Sequence, residues 1–375
     1  MICRKDIFMT IGQNIKKLRK NADMTQENLA EILSISPQAV SRWETDMAMP
    51  DLSLLAPLCR LFKVSADELL GIDIAQMETE VNEIRAQASS FSDRGYPKEA
   101  REILENGLRK FPNNHWMMHD LIYAISEQST DDDYTKEQQA HFQKETVELA
   151  EKLLSSCLED DIRHGATQIL CYTYKNMGNI EKAISLAQKM PFMAVCKEAL
   201  MANIKVGDEK FAARQIKLHH HIQSLEVGIH YMNTKMDDGK WRYTEEEVSL
   251  LRDKAIAFLH LMFEDGNFGF YHSHLSDTHI EQASYYAKTQ NIEKALHHLR
   301  KAAEHAIGFL DWCMGGEYTS LLFKGMRRGT HSTNDKRNQA LYVLEEMKAS
   351  KYDFLRDNSE FVDIKNKIEP LAKHL

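Results

Sequence analysis

Apolar residues recur three and four positions apart along nearly the whole chain, and strict alternation is rare, so the pattern predicts helices from end to end. It is sharpest in the first fifth. Ile11, Ile15 and Leu18 form a stripe on a helix whose other face carries Lys16, Lys17, Arg19 and Lys20, enough charge to meet phosphates. Leu29, Ala30 and Leu33 make a second narrow face, and Val40 and Trp43 a third, so residues 25–44 read as two short helices around a tight turn. Ser36 is a good N-cap with Pro37 at the first helical position, where a missing N–H costs nothing, and the second helix thereby starts at a defined point. Pro50-Asp51 starts another helix with Leu54, Leu55, Leu58 and Leu61 inside. Ser65-Ala66-Asp67-Glu68 reads as a capping box for a last short helix that stops at Gly71.

These phrases fall in a fixed order: Ile-Gly-x-x-Ile-x-x-Leu-Arg, Thr-Gln-x-x-Leu-Ala, Ser-x-x-x-Val-Ser-x-Trp-Glu, a proline six residues on, and a terminal Leu-Leu-Gly. From about Thr10 to Gly71 the stretch resembles the phage-repressor and Cro class of helix-turn-helix domains, often called XRE-like. The resemblance implies that the helix opening at Pro37 lies in the major groove of duplex DNA, with Gln38, Ser41 and Arg42 at base-facing positions. Gln38 suits adenine and Arg42 guanine, each by two hydrogen bonds. Lys16, Lys17, Thr25, Gln26, Ser36 and Thr45 are the expected phosphate contacts, which fix register without reading sequence. Pro37 stands where some relatives carry a second reading amide, so this chain reads with one group fewer. Arg19 and Glu44 align with an ion pair that some relatives place between the first and recognition helices; by themselves they read equally well as exposed charges worth little. Trp43 reads as core rather than as a platform for a base.

Beyond Ala75 the helical period continues with few prolines. Ala88, Phe91, Gly95, Ala100, Leu104, Gly107 and Pro112 reproduce the tetratricopeptide spacing, with small residues where two antiparallel helices touch, glycine at the turn and proline after the second helix. The phrase returns at Tyr174, Gly178, Ala183 and Ala187, and at Tyr286, Ala295, Leu299 and Ala302 around a second Asn-Ile-Glu-Lys-Ala. Fainter echoes centre on Ala150, Ala212, Ala255 and Ala340. Their irregular spacing requires inserted loops, of which Thr130-Asp131-Asp132-Asp133 and Asp237-Asp238-Gly239 are the clearest. Such repeats bury their apolar faces only by stacking, which leaves a curved, extended surface. The segment Asp353-Phe354-Leu355-Arg356-Asp357-Asn358 with Phe361 resembles the closing element of tetratricopeptide regulators.

The expected fold is therefore all-α: a five-helix repressor-type DNA-binding head at residues 1–72, followed by an α-solenoid of degenerate tetratricopeptide-like helical hairpins at residues 73–375. The arrangement resembles the Gram-positive regulators that answer to signalling peptides. It implies an effector surface, either peptide or partner protein, for which Arg85, Gln168, Tyr172, Lys175, Asn176 and Lys197 are the candidates. Solvated helix faces carry the same residue types.

Charge narrows the partners. The chain of 375 residues has 47 Lys and Arg against 56 Asp and Glu, a net charge of −9. Residues 1–72 hold nine of each sign, so the head is neutral and the remainder, 38 against 47, carries the whole excess. The basic footprint usual for DNA binding is absent. Local placement of Lys16, Lys17, Arg19, Lys20 and Arg42 must serve instead, and dimerisation must supply useful affinity. Six scattered cysteines, Cys3, Cys59, Cys157, Cys171, Cys196 and Cys313, argue against a disulfide framework or zinc knuckle and for a reduced, cytoplasmic protein. No apolar run is long enough for a bilayer, no signal peptide is evident, and Met9 is a candidate start because the segment before it fits neither helix nor sheet.

His219-His220-His221 point about 100° apart on a helix and cannot converge on one ion, and His272, His274 and His279 lack an acidic or cysteine partner, so no metal and no cofactor are expected. Phosphate-loop, dinucleotide and zinc-protease motifs are absent, and Gly315-Gly316 and Gly325 read as turns. No catalytic residue is assigned. The expectation is a cytoplasmic, homodimeric, sequence-specific regulator on double-stranded DNA whose repeats dimerise and bind an effector, with no membrane role. The alternatives are a scaffold whose head only anchors it to DNA, and a constitutive repressor without ligand.

Overall fold

The computed structural model describes residues 10–72, 74–192, 196–313, 316–327 and 335–375. Cys3, Gly315 and the segment ending at Met9 lie outside these. Regular structure among the described residues is helical, with isolated bridges such as Lys235 to Trp241 in place of strands. No described helix is long and apolar enough to cross a membrane. The chain divides into two compact units between Ala86 and Gln87.

In the first unit, α1 (Ile11–Asn21), α2 (Gln26–Leu33), α3 (Pro37–Glu44), α4 (Leu55–Phe62) and α5 (Ala66–Leu70) are the five expected helices. The helix expected from Pro50-Asp51 starts later: Asp51 caps a 3-10 turn, Leu52–Leu54, and α4 follows. Capping explains most boundaries. Thr10 and Gln13 form a reciprocal box, as do Thr25 and Asn28, while Ser36 accepts from the Ala39 N–H and Ser65 from the Glu68 N–H. Gly71, at φ +74°, ends α5. Ile15, Leu29, Ala30, Val40, Trp43, Leu58 and Leu69 meet in one core, so Trp43 is structural. Gly12 sets the distance between α1 and α3: a β-carbon there would lie 1.9 Å from the Trp43 carbonyl oxygen.

A further helix, α6 (Ile74–Ser92), spans the division. The second unit then runs through α7 (Pro97–Lys110), α8 (His115–Gln128), α9 (Lys136–Ser156), α10 (Asp160–Asn176), α11 (Ile180–Ala187), α12 (Lys197–Ile204) and α13 (Gly207–His230). It continues with α14 (Glu245–Met262), α15 (Tyr271–Lys288), α16 (Ile292–Cys313), α17 (Gln339–Met347) and α18 (Ser359–Ile368). From α7 to α11 and again from α12 to α18, successive helices pack on one another as the stacked hairpins of a solenoid. Ala88, Ala100, Ala150, Ala183, Ala255, Ala295, Ala302 and Ala340 are buried where helices meet. Ala212 is not one of them. It is exposed, and its neighbour Ala213 takes the buried place, so that echo falls one residue later than its spacing suggests; Ala187 is exposed as well.

The repeated phrase has one structural solution used twice. Gly178 (φ +80°) and Gln290 (φ +55°) turn the chain, and the next residue, Asn179 or Asn291, caps the following helix by accepting from the N–H of Lys182 or Lys294. Each lysine then lies over a tyrosine of the preceding helix, Lys182 on Tyr174 at 4.2 Å and Lys294 on Tyr286 at 4.7 Å. Gln290 adopts left-handed backbone that its counterpart gives to glycine. The closing element is a 3-10 turn, Ser350–Leu355, followed by α18, with Tyr352, Leu355 and Phe361 in the core. The segment that leads into α17 lies against the start of the unit. The Gly95 α-carbon faces the Asp335 and Lys336 backbone so closely that a β-carbon would lie 3.0 Å from Lys336 N, and Lys336 pairs with Asp133.

The α15/α16 contact holds a file of buried imidazoles. His272 Nδ1 meets His305 Nδ1 at 3.0 Å, His279 Nδ1 meets His298 Nδ1 at 2.9 Å, and His279 stacks on His305. His274 turns away to the buried Glu226, 2.7 Å off. His274 thus has an acidic partner, which corrects the expectation for these three histidines, while His272 and His279 each pair with another imidazole. In each His–His pair one ring donates and the other accepts, so both are neutral, and burial pushes their pKa values down to about 4 for His272 and His298, about 3 for His305 and about 2 for His279.

Two outcomes follow from this packing. Gly12→Ala forces α1 off α3 and destabilises the head by about 1–3 kcal/mol, read as faster amide hydrogen exchange in residues 10–71 of the full chain. The buried imidazoles titrate lower when folded than when unfolded, so stability is complete above about pH 6.5. As the pH falls towards the folded values, each of the four removes about 1.4 kcal/mol per pH unit. The melting temperature of the full chain drops accordingly between pH 7 and 5, and replacing His279 and His298 together by Leu flattens the slope.

Candidate nucleic-acid interface

The outer face of α3 is shaped by what the helix cannot bury. Val40 and Trp43 turn into the core, which leaves Gln38 and Arg42 on the outer face of α3 and Ser41 at its margin, half-buried. Neither the Gln38 amide nor the Arg42 guanidinium has a hydrogen bond or ion pair with any described residue. Ser36 and Pro37 at the start of α3 are exposed too. Two neighbouring outward groups of this kind can make the paired hydrogen bonds that distinguish bases in a major groove.

Beneath this face lies a buried ion pair. Arg19 Nε donates to Glu44 Oε1 at 2.6 Å and Nη2 to Oε2 at 2.9 Å, while Nη1 donates to the Met24 carbonyl at 2.6 Å. Gln26 Nε2 supplies a further bond to Glu44 Oε2 at 2.9 Å. Burial pushes the Glu44 carboxyl up, but the bonds from Arg19 and Gln26 outweigh it and hold the group below the ordinary carboxylate value. The same contact raises Arg19. Arg19 is therefore withdrawn from the surface and does not join the lysines expected to meet phosphates, which corrects its placement in that set.

The expected phosphate contacts differ in what they have left to offer. Lys16, Lys17 and Lys20 are exposed on α1. Ser36 Oγ accepts from the Ala39 N–H, which leaves its own proton for a phosphate oxygen. Thr25 donates its proton to Asn28 Oδ1, and Thr45 donates to the Ser41 carbonyl at 2.8 Å, so either must break an internal bond to donate outward. Gln26 keeps one amide hydrogen beyond its bond to Glu44.

In the second unit, Gln168, Tyr172 and Asn176 come together on one cleft of about 470 Å³ between α8 and α10. Trp116, His119 and Tyr123 form its other wall. Lys175 is exposed outside the lining, and Lys197 is held by Asp161 at 2.9 Å. Arg85 belongs to the first unit. Sequence reasoning missed Glu127, whose place on the cleft follows only from the packing of α8 on α10. Burial raises its pKa to about 7 against the lowering effect of hydrogen bonds with Tyr123 and Ser92, and its Oε2 has no hydrogen-bond partner among the described residues.

Comparison with known proteins bears chiefly on the head. A family model described as helix-turn-helix matches residues 15–69. The transcriptional regulator ImmR of Bacillus subtilis (strain 168) is 36% identical over 74 residues, 20% of this chain and 58% of ImmR. The uncharacterized regulator YobD of the same organism is 31% identical over 113 residues, 30% of this chain and 83% of YobD. Of three such relatives the chain spans 38% to 58% of the length. The structure of Bacillus thuringiensis PlcR in complex with the peptide PapR7 and DNA aligns over 82% of this chain and 97% of its own. Its identity is 15% and its TM-score 0.32, too low to carry weight for fold or ligand.

Breaking the buried pair tests the support of the outer face. Glu44→Ala leaves the Arg19 guanidinium buried without its carboxylate and costs the head about 3–5 kcal/mol, whereas Arg19→Met with Glu44→Leu recovers most of the loss. Local hydrogen exchange on the full chain measures both. Because the folded Glu44 pKa is depressed, its contribution is present above the ordinary carboxylate range and is lost as pH falls through the folded value.

Proposed function

The chain belongs to the helix-turn-helix transcriptional regulators, and from that premise we propose that it is a homodimeric, sequence-specific regulator, in the cytoplasm, that reads duplex DNA through Gln38, Ser41 and Arg42. The observation that carries this reading is that Gln38 and Arg42 point outward, without a partner among the described residues, on a helix whose opposite face is fixed by Val40, Trp43 and the Arg19–Glu44 pair. Lys16, Lys17 and Ser36 supply phosphate contacts directly, and Thr25, Gln26 and Thr45 join them once their internal bonds are exchanged. A neutral head gains little from phosphate neutralisation, which favours two heads on symmetric half-sites one or two helical turns apart.

The repeats serve dimerisation and effector binding in this reading, with residues 73–375 as the effector domain. The cleft between α8 and α10 is the best-supported effector site. Its aromatic wall, the Gln168 and Asn176 amides and the Glu127 carboxyl suit an extended peptide or another ligand carrying backbone-like donors and acceptors. A scaffold that uses the head only as an anchor has less in its favour, since an anchor has no need of two reading groups held clear of the protein. No catalytic role enters this reading.

Selection of binding sites from a random duplex library tests the head. Gln38→Ala and Arg42→Ala each remove about 1–3 kcal/mol of discrimination at one operator position, with non-specific binding nearly intact. Lys16→Ala instead weakens all sequences alike and lowers the slope of log affinity against log salt by about 0.9 for each phosphate left without its cation.

A further inference from the structure

Away from the head and its readers, three unlike donor groups converge where three helices end. The His115 imidazole, the Cys157 thiol and the Glu159 carboxylate place one ligand atom each within 4.8 Å of one another. His115 is the first residue of α8, Cys157 is the C-cap of α9, and Glu159 is the N-cap of α10. Cys157 and Glu159 both have extended backbone, so alternate side chains share a side. Leu158 between them is turned outward and is 91% exposed, a high cost for a leucine in a turn that keeps its two neighbours facing one point. Arg163 Nη1 donates to the Leu154 and Cys157 carbonyls at 2.6 and 2.7 Å and fixes that turn.

We propose that His115, Cys157 and Glu159 bind a divalent transition-metal ion of the zinc class, with water at the fourth position. The donor set selects the ion, because thiolate and imidazole favour zinc-class metals while magnesium and calcium take oxygen alone. Tetrahedral zinc with its usual bond lengths puts ligand atoms roughly 3.4–3.7 Å apart, a modest contraction from the present spacing. Thiolate and carboxylate together neutralise the dication. The thiol proton leaves to solvent as the metal–sulfur bond forms, so affinity rises with pH. Cys157 is fully buried and Glu159 exposed, which gives the ion one protein-facing and one wet side. The ion ties the start of α8 to the start of α10, the two helices that line the cleft, and it does so whatever that cleft binds.

The test is cobalt titration of the full-length, untagged chain, stripped of metal under reducing conditions. One equivalent of Co²⁺ is expected to give a near-ultraviolet thiolate-to-cobalt band with tetrahedral absorption in the visible, and Zn²⁺ is expected to bleach both. Cys157→Ser removes the charge-transfer band, and Cys171→Ser leaves it. His115→Gln and Glu159→Gln lie at the edge of the core, keep the helical circular dichroism, and weaken cobalt binding roughly tenfold or more, the scale on which even outer-shell partners act. A chain that gives no thiolate band at stoichiometric cobalt, or a band that survives Cys157→Ser or is indifferent to both edge variants, overturns the site. Cobalt held only by surface histidines such as His220 and His221 lacks the thiolate band and counts against it.

Discussion

A carboxylate at the wrong end of a helix is the constraint on which the head turns. Glu44 closes α3, where the backbone carbonyls already present partial negative charge, and it is 5% exposed. Left alone there, it would be expelled or neutralised. The Arg19 fork makes the position tolerable by meeting both oxygens, and it can do so only if α1 lies across the end of α3 at one distance and one rotation. Gly12 permits that distance, since no side chain keeps α1 off the Trp43 carbonyl. Gln26 adds α2 to the arrangement. The orientation of the outer face of α3 is thus set from beneath by electrostatics and from the side by apolar packing.

This arrangement consumes charge that a nucleic-acid-binding surface would otherwise use. With Arg19 buried, the exposed cations left of the expected set are Lys16, Lys17 and Lys20 on α1 and Arg42 on α3, in a head whose two signs balance. Thr25 and Thr45 commit their hydroxyl protons to helix ends, so rigidity replaces potential phosphate contacts. In the proposed reading, such a head leans on its base-facing groups, because the net charge available for sequence-independent attraction is small.

What the sequence makes legible is what local chemistry decides. Ser36 and Ser65 cap the helices they precede, and Gly71 ends α5, because each choice depends on neighbours within four residues. The apolar period likewise identifies Trp43 as core. Legibility fails where partners are distant. Whether Arg19 faces solvent or Glu44 depends on a pairing across 25 residues, and the His279–His298 and His272–His305 contacts depend on the pairing of α15 with α16. The echo expected at Ala212 is displaced for a related reason. A degenerate repeat leaves two adjacent alanines, and only the packing of α12 and α13 decides that Ala213 is the buried one. Of the residues named for an effector, Gln168, Tyr172 and Asn176 share one turn-to-turn face of α10, which the helical period can anticipate. Glu127 comes from a different helix and could not be anticipated.

Glu127 also sets the terms on which anything enters the cleft. A carboxyl whose pKa has risen to about 7 is close to half-ionised at neutral pH, and its unpartnered Oε2 already bears the cost of lost hydration. A ligand that donates a hydrogen bond or brings a positive charge restores what burial removed, so it binds the ionised form and releases a proton. A ligand that brings an acceptor must take the protonated form instead. An occupant of this cleft alters DNA binding only by the difference in its affinity for the DNA-competent and incompetent states. That difference depends on pH through Glu127 only where the two states hold its carboxyl in different surroundings.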